Sequence, residues 1–81
     1  MNVTVHFHSY FKDLAGCAEV VAEIPEGSSL ADLLQKMRTR FPKLEPMRRS
    51  TLAAVGVDYQ SADYRLKEGD EVSLFPPVQG G

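Results

Sequence analysis

The 81-residue sequence has a single cysteine, Cys17, and no tryptophan. One cysteine excludes an internal disulfide and every paired-cysteine zinc or redox motif, so a reducing compartment, the cytoplasm, is expected. No apolar run approaches the ~20 residues that span a bilayer, and residues 1–20 alternate with charges instead of forming a signal-peptide core. Neither a membrane nor a targeting segment is therefore expected. Also missing are GxSxG, P-loop, HExxH and GxGxxG motifs, and the acidic residues are scattered without a catalytic pair. These absences argue against an active site inside the chain and against a cofactor bound by it. His6 and His8 lie two apart on one strand face, a chelating spacing, but zinc needs three or four protein ligands and no others are evident. They read as surface histidines, and no metal is expected. Cys17, beside the glycine of a turn and without a neighbouring base, reads as structural.

What is present is an ordinary globular mixture, 43% apolar and 25% charged, which is enough for one domain that folds alone. A chain of this size buries only about 60–65% of its unfolded surface, so its core must be economical. The net charge of −2 argues against nonspecific DNA binding. Six of the nine basic residues nevertheless crowd between Lys36 and Arg49. A solvated helix face is the favoured reading of that cluster, and an acidic partner the alternative.

Val3, Val5 and Phe7 alternate with Thr4, His6 and His8, the pattern of a strand with one apolar face. Tyr10 to Gly16 fits a single helical turn or a wide hairpin connection. Val20, Ala22 and Ile24 then alternate with Glu19, Val21 and Glu23 up to Pro25, giving a returning strand. Ser29 with Asp32 three residues later is a capping box, and Leu30, Leu33, Leu34, Met37 and Phe41 recur at helical spacing until Pro42 ends the helix. Lys43 to Ser50 reads as a loop with a short turn around Leu44 to Arg48. Leu52 to Val57 is the next strand, Asp58-Tyr59-Gln60 a turn, and Leu66 a core plug from an irregular segment. Lys67-Glu68-Gly69-Asp70 turns into a last strand, Glu71 to Phe75. One helix across a single face of a mixed sheet of four to five strands, with the first and last strands parallel at its centre, is an α+β fold of the β-grasp type. The expected division is a β-grasp domain over residues 1–75 and an extended Gly-Gly tail over 76–81.

Pro76 and Pro77 lack amide donors, so the sheet ladder cannot continue and the backbone must leave the body of the protein. The six residues from Pro76 to Gly81 reach at most roughly 20 Å, enough to thread into another protein. Gly80 and Gly81 carry no side chains and suit a narrow channel. The α-carboxylate of Gly81 is unreactive at neutral pH unless activated, as by adenylation followed by attack of a sulfur nucleophile. A plain loose end is the dull alternative. If the apolar residues of the outer strands point at the helix, Phe75 falls on the open face, beside Ser73, His6 and His8, with Ala54 and Gly56 leaving a shallow, flat surface. An exposed aromatic where the tail departs is a fitting partner anchor.

The run Leu52-Ala53-Ala54-Val55, then Lys67-Glu68-Gly69-Asp70-Glu71-Val72, then Phe75-Pro76-Pro77-Val78-Gln79-Gly80-Gly81 resembles the small, sulfur-carrying subunit of molybdopterin synthase. Val5, Phe7, Leu14 and Gly16 extend the resemblance to the front of the chain. Gly56 departs from it, standing where the family often has asparagine. The resemblance implies a ubiquitin-like sulfur carrier that is not an enzyme on its own. An ATP-dependent activating enzyme would adenylate Gly81, and a sulfur donor protein would convert it to a thiocarboxylate. Pro76, Pro77, Val78, Gln79 and Gly80 would thread into the large synthase subunit. Sulfur would pass there to cyclic pyranopterin monophosphate, in an assembly of two small and two large subunits. Phe75, with Tyr59, His8 and Lys12, would form the docking surface. No nucleic acid or membrane partner is implied. A sulfur carrier for thiamine, tRNA thiolation or a tungsten pterin, a protein modifier joined through Gly81, and an interaction module with an inert end are the alternatives.

Overall fold

Alternation at the start of the chain folds into strand β1 (Asn2–Phe7), which buries Val3, Val5 and Phe7 on one face and turns Asn2, Thr4 and His6 to the other. The computed structural model describes residues 1–77. The connection after β1 holds a short helix, α1 (Phe11–Ala15), whose Phe11 is fully buried. It stops at Gly16, which adopts a left-handed φ of 78° and donates its N–H to the Lys12 carbonyl at 2.8 Å. Only glycine takes that cap conformation without a Cβ penalty. Strand β2 (Glu19–Glu23) then returns antiparallel to β1, from His6 opposite Glu19 to Asn2 opposite Glu23.

Helix α2 (Leu30–Arg40) begins at the expected capping box. Ser29 Oγ accepts from the Asp32 N–H at 3.2 Å, and the Asp32 carboxylate accepts from the Ser29 N–H at 3.0 Å. Two of the helix's orphan donors are thereby satisfied. Leu30, Leu33 and Met37 are buried, and Leu34 and Phe41 pack against the same core at its edge. Phe41 ends the helix at φ −125° and ψ 83°, because the ring of Pro42 disfavours helical geometry in the residue before it. The segment read as a loop is more ordered than expected. Residues Pro42–Met47 form a 3₁₀ helix that sends Leu44 into the core.

Strand β3 (Leu52–Val55) is shorter than the sequence pattern suggests, and Asp58–Tyr59, expected as a turn, is instead strand β4. The turn is Gly56-Val57. Gly56 has a φ of 62° and Val57 does not have a positive φ, the signature of a two-residue hairpin with glycine at its first position. Val55 thus pairs with Asp58 and Ala54 with Tyr59. The segment before the last strand is tied to the start of α2 by Leu30 N–H to the Tyr64 carbonyl, 2.8 Å, and Leu66 N–H to the Ser28 carbonyl, 2.9 Å, with Leu66 buried as expected. Strand β5 (Glu71–Phe75) closes the sheet in the order β2-β1-β5-β3-β4. It runs parallel to β1, with Val5 opposite Val72 and Phe7 opposite Leu74, and antiparallel to β3. This is the β-grasp topology, with α2 packed against one face and the other face open.

The capping box yields a first prediction. Replacing Ser29 with Ala removes the side-chain half of the reciprocal pair and should cost about 1 kcal/mol, lowering the melting temperature by roughly 4–8 °C. The Asp32 carboxyl is held below the ordinary carboxylate range by the Ser29 N–H first and the Ser29 hydroxyl second. A depressed folded-state pKa contributes stability that is complete above the unfolded value and is lost as pH falls through the folded one. Thermal melts from neutral to strongly acidic pH should therefore show the gap between wild type and Ser29→Ala narrowing in acid. A gap that stays constant or widens contradicts the assignment.

Candidate functional site

β5 ends at Phe75, and Pro76 and Pro77 follow it half-buried and outside any strand. The sheet face opposite α2 is not uniform at this end. Phe75 was expected to be exposed; it is half-buried instead, because the His8 ring stacks on it with centroids 4.4 Å apart and planes 12° from parallel. On its other side Tyr59 meets it edge-on, at 6.3 Å and 60°. The expectation that Ala54 and Gly56 leave a bare flat surface also fails. Ala54 is buried, and Gly56 lies in the hairpin turn instead of the strand. The formation of β4 explains both corrections, since pairing Tyr59 with Ala54 brings a large ring onto a face that would otherwise carry only methyl groups.

Three of the four expected docking residues, Phe75, Tyr59 and His8, thus form one aromatic cluster. Lys12 is exposed on α1, which starts three residues after His8, but among the described residues no hydrogen bond or ion pair links it to the cluster. Val78, Gln79, Gly80 and Gly81, the rest of the expected site, lie outside the described residues. One contributor was missed. Leu52 stands directly across from Phe75 in the β3–β5 register and is 40% exposed. Leu52 was legible in principle, since it is out of phase with the buried Ala53.

His8 is held by local backbone geometry. Its N–H donates to the Leu74 carbonyl at 3.1 Å, extending the β1–β5 pairing one residue beyond β1. Ser9 then turns the chain with a φ of 57°, a left-handed conformation that non-glycine residues adopt uncommonly. His8 is not the free surface histidine expected from sequence, for its Nε2 is buried and, among the described residues, has no hydrogen-bond partner. Farther along the same face His6 Nε2 lies 2.9 Å from Glu71 Oε1. The open face therefore grades from a polar end at His6 and Glu71 to an apolar, aromatic end at the exit of β5. Cys17 is half-buried against the core, with its thiol donating to the Ala15 carbonyl at 3.8 Å. No three His, Cys, Asp or Glu among the described residues converge as metal ligands, and no helix is long and apolar enough to cross a membrane.

Residues 5–81 match the model of the ThiS family. The chain belongs to the ThiS family. It is 35% identical over 82 residues to the molybdopterin synthase sulfur carrier subunit of Escherichia coli, with 98% of this chain and 99% of that protein aligned. Among solved structures, a putative molybdopterin converting factor subunit 1 from Pyrococcus furiosus superposes with a TM-score of 0.83 at 32% identity, covering 96% of this chain and 99% of that one. SAMP1 from Haloferax volcanii superposes with a TM-score of 0.91 at 20% identity and complete coverage of both chains. Subunit 1 of the Helicobacter pylori molybdopterin-converting factor, solved as a complex with subunit 2, gives 0.71 at 23% identity, again with full coverage. At their identities the last two speak to the β-grasp fold alone.

Gly56 can now be placed. Its positive φ is a conformation that asparagine tolerates and β-branched residues do not. Gly56→Asn should therefore be mildly destabilising, whereas Gly56→Val should cost about 1–2 kcal/mol. It should also weaken the Tyr59 ring-current effect on Phe75 protons. Urea unfolding and one-dimensional NMR check both, and equal behaviour of the two variants would contradict the turn assignment.

Proposed function

We propose that this chain is the sulfur carrier subunit of a molybdopterin synthase, with the Gly81 carboxylate as the carrying group. The observation that carries the reading is the aromatic cluster of His8, Phe75 and Tyr59 at the sheet end from which Pro76 and Pro77 depart, in a chain whose relatives bear that name.

The chemistry follows from a carboxylate that is inert at neutral pH. A partner enzyme joins a Gly81 oxygen to the α-phosphorus of ATP and releases pyrophosphate, which leaves an electrophilic acyl-adenylate. Sulfide supplied by a donor protein adds to the carbonyl carbon, displaces AMP and loses its proton, giving a thiocarboxylate. The thiocarboxylate sulfur then bonds to a carbon of cyclic pyranopterin monophosphate in the large subunit, displacing an oxygen group; water cleaves the resulting thioester, leaving the sulfur on the pterin and returning the carboxylate, and a second delivery completes a dithiolene. Tethering holds the sulfur at high effective concentration and keeps it from diffusing away as sulfide. In this division of labour residues 1–75 dock and residues 76–81 reach. Pro76 and Pro77 stiffen the exit, Val78 and Gln79 line the entry, and Gly80 passes the constriction. Relatives named as a subunit of a synthase support a second subunit as the docking partner, and Phe75, Tyr59 and His8, flanked by Lys12, form the surface offered to it.

Deleting Gly81 should abolish sulfur transfer in a reconstituted synthase assay while leaving the melting curve unchanged; retained transfer would defeat the proposal. Replacing Phe75 with Ala should lower affinity for the large subunit by about 2 kcal/mol or more, as for a central aromatic anchor. The same change should cost only about 1 kcal/mol of stability, the scale of the lost ring contacts. Calorimetric titration alongside thermal melts separates the two, and a large stability loss at unchanged affinity would make Phe75 a core residue only.

A further inference from the structure

The basic cluster singled out in the sequence has no role in the reading above, and its structural setting argues against a merely solvated helix face. Residues 36–49 carry six cations, Lys36, Arg38, Arg40, Lys43, Arg48 and Arg49, and one acid, Glu45, a local charge of +5. The rest of the chain has three cations and ten acids, or −7, and the two parts restore the net −2. Acids at the three- or four-residue spacing that supports a charged helix are few around these cations: Asp32 before Lys36, and Glu45 before Arg48 and Arg49. Here Arg38 and Arg48 both turn to the same Glu45, at 3.2 and 3.7 Å. Lys36 instead donates to the Glu23 backbone carbonyl at 2.7 Å, and Arg40 sits over the Phe41 ring at 5.3 Å. Among the described residues no carboxylate pairs with Lys36, Arg40, Lys43 or Arg49.

These side chains border a shaped surface. Gln35, Thr39, Arg38, Glu45 and Arg48 line a cleft of about 310 Å³ between α2 and the 3₁₀ helix. A second shallow cleft lined by Asp32, Lys36 and Arg40 shares Gln35 and Thr39 with it. Both lie on the helix side of the sheet, away from His8, Phe75 and Tyr59, so this surface stays accessible while the aromatic cluster is engaged.

We propose that the α2 and 3₁₀ surface is a second docking site, for an acidic segment of a partner protein. The arrangement favours a protein over a nucleic acid. The one aromatic among the cations, Phe41, is half-buried and packs edge-on against Phe7 at 5.4 Å, which leaves no ring for bases to stack on. The −7 on the remaining surface repels a long polyanion but not a compact acidic patch, since at 0.1 M salt charges act over only about 10 Å.

The test measures fluorescence anisotropy of a labelled deca-glutamate peptide and of a labelled deca-thymidylate titrated with the full chain, at low and physiological salt. The peptide should bind at low salt and weaken about tenfold or more at physiological salt, where screening is stronger. The double change R48E/R49E should abolish binding with the melting temperature retained, Glu45→Gln should tighten it, and Phe75→Ala should leave it unchanged. No peptide binding at low salt, undiminished binding by R48E/R49E, or tighter binding of deca-thymidylate than of the peptide would each overturn the proposal. None of these readouts involves sulfur loading, so the outcome is independent of the carrier function.

Discussion

Main-chain pairing between β1 and β5 is the constraint on which the rest of the structure depends. With Val5 opposite Val72 and Phe7 opposite Leu74, the last strand enters the middle of the sheet, buried against α2 on one face and flanked by β1 and β3. Parallel pairing also directs β5 toward the end of the sheet where β1 finishes. His8, the first residue beyond β1, therefore meets Phe75, the last residue of β5, and the rings stack. A chain end that leaves from a central strand has a rigid base, because displacing it would break pairing on both sides and expose Val72 and Leu74. For a protein that presents its terminus to others, firmness at the base and slimness beyond it are complementary requirements.

The two sides of the sheet have different work. The α2 side holds almost all of the core: Leu33, Met37, Phe11 and Leu44 press on Val3, Val5, Val72 and Leu74. The open side is polar around His6 and Glu71 and aromatic around Phe75. Its aromatic end gains its shape from the β3–β4 hairpin, which carries Tyr59 across Ala54. The left-handed Gly56 thus shapes the aromatic end of the open face by setting the turn that pairs Tyr59 with Ala54.

Most of the fold was legible in the sequence because the elements announce themselves chemically. The capping box at Ser29 and Asp32, the apolar stripe from Leu30 to Met37 and the proline stop at Pro42 each follow from a local rule, as does the alternation in β1, β2 and β5. The β3–β4 hairpin was misread because four small apolar residues followed by Gly-Val continue a strand pattern, and two-residue turns are decided by backbone angle rather than hydropathy. The 3₁₀ helix was missed for a similar reason, since prolines at 42 and 46 suggest irregularity while Leu44 alone signals burial. At the candidate site, alternation put His8 and Phe75 on the same face but could not reveal that they stack, nor that Leu52 lies across from Phe75. Those are consequences of register, which depends on residues distant in sequence.

Sulfur carriage at Gly81 is tested most directly by mass spectrometry of the C-terminal peptide after the full chain is incubated with its activating enzyme, ATP and a sulfur donor. The peptide ending in Gly81 should gain the difference in mass between one sulfur and one oxygen atom, and should revert to the carboxylate after reaction with the large subunit and pterin substrate. A terminal peptide of unchanged mass, or added sulfur found on Cys17 instead, would contradict it.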